Sequence, residues 1–487
     1  MRNQLGQNSD FVMSEITFGM KRICLGYFHT MADIKKLDEY VFRPLRQNEE
    51  ELVQSSEDQE HFRETLRSLI PLNEICSVED WDSALKQLVC GEVLIFVDGE
   101  DACLSIDMQK VEKRDIQPPD AEQSVNGPKE SFVEELGTNI TLIRQRLRDP
   151  NLYVECFQLS KRGKQEVAVF YLVDVANDRV VEEVKQRISA IETDFIQGQM
   201  HLQELIQDNS FSLFPQIRPT ERPDVACSNL LEGSVILLVN GASHALILPV
   251  TLFQLMDTVD DYYTNWQYAT LIRFVRMLAL LFSIAIPGMY LSLFAYNPEL
   301  IPTRLVISMD AARVKVALPI VLEIFVMEII IEILREAGLK LPKTIGQAVS
   351  IVGGLVIGEA AVNANLVSPI TIVIVALTAI SSFTAPVYLL GITYRILRFF
   401  LLLCSGILGL YGFLLGVFLI HAHIAKLQSF GVPFLAPLSP LRFKDWKDTL
   451  VRISYNKQTN RPTFLRPKES TKARSLRMIK SFWEKKR

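Results

Sequence analysis

MLALLFSIAIPGMYLSLFAY, Met277–Tyr296, runs for 20 residues without a charge. As a helix rising 1.5 Å per residue it covers about 30 Å, the depth of a bilayer's hydrocarbon layer. Four more apolar stretches follow: Leu318–Leu334, Ile345–Val362, Leu366–Ala385 and Phe399–Ile420. Hydrophobic residues make up 49% of the 487-residue chain, and the mean hydropathy of +0.18 is too low for a protein embedded along its full length. The apolar excess is therefore local. The expected architecture is a membrane protein with an α/β cytoplasmic N-terminal region in two subdomains, followed by an α-helical transmembrane domain of about four to five segments. The divisions fall at 1–114 and 129–273 for the subdomains, 115–128 for a linker, 274–425 for the transmembrane domain and 426–487 for the tail.

Upstream, Glu92–Val97 ends in Asp98-Gly99 and Ser234–Val239 ends in Asn240-Gly241. A two-residue DG or NG between apolar runs marks a hairpin, because both central positions take positive φ. The two hairpins align at a constant offset, Leu88-x-x-Gly91-x-Val93 with Leu230-x-x-Gly233-x-Val235. That match fits a duplicated α/β unit, paired hairpins in one sheet, or two ordinary hairpins converging on one turn chemistry. Between them, Asp115–Pro128 reads as a linker, Glu130–Arg148 and Val180–Leu205 as helices, and Glu166–Val173 as a strand. The first fifteen residues contain no apolar signal-peptide core, which fits an N-terminal region that stays in the cytoplasm.

Glu323, Glu328 and Glu332 lie within the second apolar stretch, and each acid costs about 2.5 kcal/mol or more at a bilayer centre. They face protein, water or the interface. In the third stretch Gly346, Ser350, Gly354 and Gly358 recur every four residues, a small-residue stripe for close helix packing. Arg335, Lys340 and Lys343 between segments two and three, and Arg395 and Arg398 between four and five, place those loops in the cytoplasm. Five crossings would then leave the tail outside, yet Arg442–Arg487 carries 15 Lys/Arg against 4 Asp/Glu, a composition suited to the anionic inner leaflet. One re-entrant segment, with the glutamate-bearing second as first suspect, or an external tail would resolve the parity.

Several motifs carry a family likeness. NGPKESFVE (Asn126–Glu134), NITLIRQR (Asn139–Arg146), Phe214-Pro215-Gln216 with Thr220-Glu221-Arg222-Pro223-Asp224, Asp260-Asp261-Tyr262-Tyr263, Leu334-Arg335-Glu336-Ala337-Gly338-Leu339, and Gly346 through Gly358 and Asn365 to Ser368 together resemble the GerA family of bacterial spore germination proteins. The resemblance spans roughly Gly91 to Pro437. It implies the A subunit of a nutrient germinant receptor in the spore inner membrane, beside a transporter-like B subunit and a lipoprotein C subunit. It also implies assembly of A subunits into an oligomeric, ligand-gated cation channel. Stage V sporulation protein AF is a relative within the same family.

A cation pore needs acidic or amide groups and an apolar constriction. Glu323, Glu328 and Glu332 fit a cation-attracting surface, or equally an amphipathic segment of solvated or arginine-paired acids, since Arg335 lies three residues beyond Glu332. Glu359, Asn363 and Asn365 around Val362 fit a pore mouth with Val362 as plug, or simple helix-end capping. In the Thr220–Asp224 loop the charged residues either fix the loop by internal pairing or contact a ligand. The seven scattered cysteines and the absence of GxSxG, HExxH or Walker motifs point to no enzyme, cofactor or metal, and the basic tail, lacking a folded module, to lipid contact and no nucleic acid. The competing readings are a secondary transporter, for which inverted repeats would be needed, and a non-conducting scaffold for the receptor.

Overall fold

The computed structural model describes residues 5–472 apart from 19–20, 56–58, 71–74, 111–117, 120, 343–353, 355, 450 and 455–457. Its N-terminal part holds two antiparallel five-stranded sheets. The first comprises β1 (Phe11–Phe18), β2 (Lys21–Phe28), β3 (Ile75–Val78), β4 (Val93–Val97) and β5 (Cys103–Ile106), in the order β1-β2-β4-β5-β3. The second comprises β6 (Leu152–Leu159), β7 (Gln165–Leu172), β8 (Arg218–Thr220), β9 (Val235–Val239) and β10 (Ala245–Leu248), in the order β6-β7-β9-β10-β8. The orders are the same. Val93 faces Ile106 in one hairpin and Val235 faces Leu248 in the other, and a helix precedes each hairpin: α1 (Trp81–Val89) in the first unit and, in the second, the helix Pro223–Glu232. Gly91 and Gly233 leave those helices at φ +96° and +101°, while Gly99 and Gly241 turn the hairpins at φ +86° and +82°. Only glycine takes these conformations without a Cβ penalty. The hairpins lie in separate sheets, so they are not paired in one, and the shared strand order favours a duplicated unit over chance convergence.

The second sheet is buried on both faces, which explains the unbroken Val235-Ile-Leu-Leu-Val239 run. Alternate β7 residues serve the two sides. Val167 and Val169 meet α3 (Asp178–Ser189) and α4 (Gln199–Ile206), and Ala168 and Phe170 meet α2 (Leu136–Arg146) and α5 (Pro223–Glu232). The single helix expected over Val180–Leu205 is two. Ile196 turns into the core, and the carbonyls of Thr193 and Asp194 accept the amides of Lys161 and Arg162 at 2.9 and 3.1 Å, so the chain leaves helical geometry there.

Beyond the sheets stand α6 (Trp266–Tyr296), α7 (Thr303–Arg313), α8 (Ile320–Lys340), a short helix over 356–363, α9 (Pro369–Ser382) and α10 (Tyr388–Lys426). By length and composition α6 and α10 are long and apolar enough to cross a membrane. Straight continuation of α10 fails at Gly409, where φ is +58° and ψ −134°. A Cβ on Gly416 would stand 3.6 Å from Cys404 Cβ and 2.6 Å from Leu401 Cδ2. Residues twelve apart in one straight helix are about 18 Å apart, so the chain reverses into a hairpin of two antiparallel arms, 388–408 and 410–426. Phe399–Ile420 is therefore no single span, and the reversal falls in the fifth apolar stretch, not the second.

The first arm runs parallel to α6, with Gly288 beside Leu401 and Ser405 and Tyr296 against Gly409. α8 runs the opposite way, since Glu328 meets Arg398 while Glu332 meets Arg395. Arg395 and Arg398 thus belong to the body of the first arm, where carboxylates hold them, and not to a loop. The hairpin returns the chain to the sheet-bearing units, and the tail packs there: Lys468 N donates to Val175 O at 2.9 Å and Arg461 Nε to Leu231 O at 2.8 Å. Up to Lys472 the tail is a strap on the second unit, where composition had suggested a free or lipid-bound segment. Gly346, Ser350 and Lys343 lie outside the described residues.

Alanine at Gly409 would force a left-handed L residue and set its Cβ 2.8 Å from Tyr296 Cβ. We expect Gly409→Ala to cost about 2 kcal/mol or more, read as a lowered unfolding midpoint in detergent; an unchanged midpoint would argue against the tight reversal.

Candidate functional site

Three layers of buried charge connect the linker, the foot of the helices and their interior. In the first, Arg222 is fully buried as N-cap of α5 and grips Asp224 with two hydrogen bonds, 3.0 and 2.9 Å. Its remaining donors reach Glu122 O at 3.1 Å and Pro128 O at 2.8 Å in the linker. Thr220 bonds Glu122, Glu221 accepts from Ala121 N at 3.2 Å and lies 3.2 Å from His244, and Pro223 opens the helix at a position needing no amide. The Thr220–Asp224 loop thus ties residues 121–128 to the second unit, which matches the internal-pairing alternative.

At the foot of α6 each residue of Asp260-Asp261-Tyr262-Tyr263 takes a different partner. Asp260 accepts from Ser124 Oγ at 2.6 Å, and Tyr263 donates to Asp224 at 3.0 Å. Asp261 receives Arg276 in a fork of 2.9 and 2.9 Å and Arg273 Nε at 3.1 Å, while Tyr262 lies under Arg273 and Arg452. Burial opposes charge on Asp261, yet the two guanidinium groups hold its carboxyl below the usual range. Arg273 also meets Asp257 at 3.0 Å and Asp448 of the strap at 3.7 Å. Burial pushes Asp257 up to about 6 and Asp448 up to about 7, against the pull of Arg273 on both, of Arg218 and Arg276 on Asp257, and of Lys472 on Asp448. These groups border a cavity of about 260 Å³ between the second unit and the strap; Glu232, Gln254, Asp257 and Tyr262 line both it and a smaller neighbour of about 190 Å³. Of this cluster the family resemblance singles out only the Asp260–Tyr263 motif; sequence reasoning misses Asp257, Arg273 and Asp448, for which a charged Arg273-Phe-Val-Arg276 directly ahead of an apolar run is the available signal.

The third layer lies inside the helices. Glu323 is fully buried, accepts the Ser368 amide at 2.5 Å and pairs with Arg313 of α7 at 3.2 Å. Glu328, also fully buried, lies 3.0 Å from Arg398 of the hairpin. Glu332 pairs with Arg395 and stands 3.7 Å from Arg335, which donates to Ser382 at 2.8 Å. The ladder covers about 18 Å along α8. Its acids are arginine-paired: Arg335 stands three residues from Glu332 on α8 itself, whereas Arg395 and Arg398 come from the hairpin, where spacing along α8 does not reveal them. The middle rung is the loose one: neither Glu328 oxygen and none of the Arg398 nitrogens makes an aligned hydrogen bond among the described residues.

Val362, Glu359, Asn363 and Asn365 lie apart from the ladder at the end of the 356–363 helix. Glu359, Asn363 and Asn365 are exposed, and Val362 packs partly against Met327 and Val375. Asn365 takes φ +56°, with its amide on Val362 O and that of Leu366 on Ala361 O, both 2.9 Å, a left-handed helix cap. Gly358 is buried near Ile372, consistent with close packing on α9, while a Cβ on Gly354 would meet nothing within 4 Å.

Comparison with known proteins places these features in a lineage. A family profile described as Bacillus/Clostridium GerA spore germination protein matches residues 1–464. Spore germination protein KA of Bacillus subtilis is 37% identical over 464 residues, 95% of this chain and 84% of that one. Spore germination protein B1 of the same organism is 37% identical, with 97% of each chain covered, and spore germination protein GerLA of Bacillus cereus is 35% identical over 97% and 95%. Among solved structures, the N-terminal domain of the A subunit of the Bacillus megaterium spore germinant receptor GerK3 aligns at 27% identity and a TM-score of 0.40, over 51% of this chain and 91% of that one.

Two tests follow from the geometry. Arg398→Leu leaves Glu328 buried without a counter-charge and should lose about 3–5 kcal/mol in detergent unfolding, whereas Arg398→Leu with Glu328→Leu should recover most of it; equal losses would deny the pairing. Asp257 and Asp448 bind protons more tightly folded than unfolded, so they add stability that is lost as pH rises from about 4 through 6 and 7. Protease resistance of the strap should decline over that window, and Asp448→Asn should flatten the decline.

Proposed function

The chain belongs to the GerA family of spore germination proteins, and from that premise we propose that it is the A subunit of a spore germinant receptor. It senses nutrients together with a transporter-like B subunit and a lipoprotein C subunit in the spore inner membrane. The observation that carries this reading is a family match running through both the soluble units and the apolar helices. In the proposed arrangement α6 passes outward, α8 returns, the 356–363 helix and α9 form a second pair, and the hairpin leaves and returns. Soluble units and strap then share the cytoplasmic side, which answers the parity question with an even number of passages.

Copies of the subunit assemble around a cation passage. Two observations favour its placement. The acids of α8 are neutralised by Arg313, Arg335, Arg395 and Arg398 inside one protomer, so they serve the bundle's cohesion. Glu359, Asn363 and Asn365 instead present a carboxylate and two amides on an exposed helix end next to Val362, groups suited to an inter-subunit pore mouth with an apolar plug.

The test is cation flux, measured as release from intact spores and as conductance in proteoliposomes. Val362→Ala should leak without germinant, and Glu359→Gln should reduce cation throughput. Flux unchanged in both would leave a non-conducting scaffold that only holds its partner subunits.

A further inference from the structure

Two phenylalanines on the sheet-bearing part and its strap are largely exposed although the backbone beneath them is tightly fixed, Phe443 with its ring centroid 5.5 Å from that of Trp446. Phe211 is 99% exposed at the tip of the 207–216 loop. Buried Gln216 braces that loop, with its side chain accepting from Asn209 N at 3.0 Å and donating to Asn209 O at 2.8 Å. The neighbouring residues reach the hairpin: Ser212 Oγ lies 3.1 Å from His423 Nε2 of the returning arm, and Thr393 of the outgoing arm donates to Leu213 O. Phe211 is thus held level with the place where both arms meet the soluble unit. Phe443 is 69% exposed on the strap. There Arg442 donates to Thr463 O at 2.8 Å, and Thr270 and Arg273, on the first turns of α6, bond the carbonyls of Arg452 and Asp448. Phe443 therefore stands beside the foot of α6.

From this placement we infer that the soluble part rests on the bilayer surface through two aromatic wedges, Phe211 and Phe443, which enter the lipid headgroup region around the foot of the helices. The inference rests on the membrane reading above. A tight loop has no folding reason to hold a phenylalanine in water, and an aromatic ring at the interface level is where such side chains gain most from lipid. Continuity supports the occupant: exposed Trp266, Tyr268 and Leu271 of α6 carry the same surface toward the apolar shaft. Charge supports it too. Lys444 and Lys447 follow Phe443 and are exposed, as suits anionic headgroups, and exposed Leu441 precedes it.

The full chain, with Trp81, Trp266, Trp446 and Trp483 replaced by phenylalanine, is given one reporter at a time: Phe211→Trp, Phe443→Trp, or Leu281→Trp at the middle of α6. Each is reconstituted in phosphatidylcholine vesicles with a minor share of phosphatidylglycerol, brominated either near the headgroup or at mid-chain. Phe211→Trp and Phe443→Trp should have their emission roughly halved by the shallow label and little changed by the deep one, as interfacial tryptophans are. Leu281→Trp should show the reverse. If Leu281→Trp is quenched while the other two ignore both labels and respond to aqueous iodide, the wedges are in water and the inference falls with the membrane reading intact. If they are shielded from lipid and iodide alike, a second copy or another protein covers them, and the inference also falls. If Leu281→Trp escapes every lipid label, the membrane reading itself fails.

Discussion

Buried arginine against buried carboxylate is the interaction on which the whole chain turns. Arg144, fully buried, grips Asp10 at 2.6 and 2.8 Å and locks the first unit to the second. Arg222 on Asp224 seals the linker, and Arg276 on Asp261 sets α6 on the second unit. Such a fork holds a planar acid in one orientation, and a guanidinium keeps its charge where a lysine ammonium would shed it. Net stability from burying an ion pair is small, because desolvation consumes most of the attraction. What the forks supply is geometry, since losing either partner strands a charge.

The rungs inside the helices follow the same chemistry with less constraint. Glu323 has an amide and an arginine, whereas Glu328 and Arg398 meet at one point, 3.0 Å apart, with their other polar atoms unmatched. A joint held by charge alone tolerates a change in helix register that a two-bond fork would resist. The slack is confined to that rung, since about one turn away Arg395 bonds Glu332 across the same joint between α8 and the hairpin. The forks sit where rigid bodies are mounted, and the slack sits between helices.

What the sequence made legible was local. Asp98-Gly99 and Asn240-Gly241 announced their hairpins because two adjacent residues carry the whole signal, and Met277–Tyr296 announced a long apolar helix by uniform composition. The common strand order of the two units could be suspected from the offset between Leu88 and Leu230 but not proved, since it depends on which strands pair. The arginine partners were out of reach for the same reason: Asp10 is 134 residues from Arg144, and Glu332 is 63 from Arg395. The reversal at Gly409 left a trace that uniform apolarity masked, four glycines between Gly406 and Gly416 that let two arms touch. For the candidate site, residue type and position were legible; whether an acid was already satisfied was not.

The strap reaches across the molecule late. Lys468 donates to Val173 O, a contact spanning 295 residues, and Lys472 reaches Glu232 across 240. During synthesis from the N-terminus the second unit is complete long before these partners exist. It must wait with that flank uncovered while six helical segments are laid down. A chain cut ahead of the strap would keep that flank open, so the strap makes the finished surface of the second unit depend on residues placed after all of those helices.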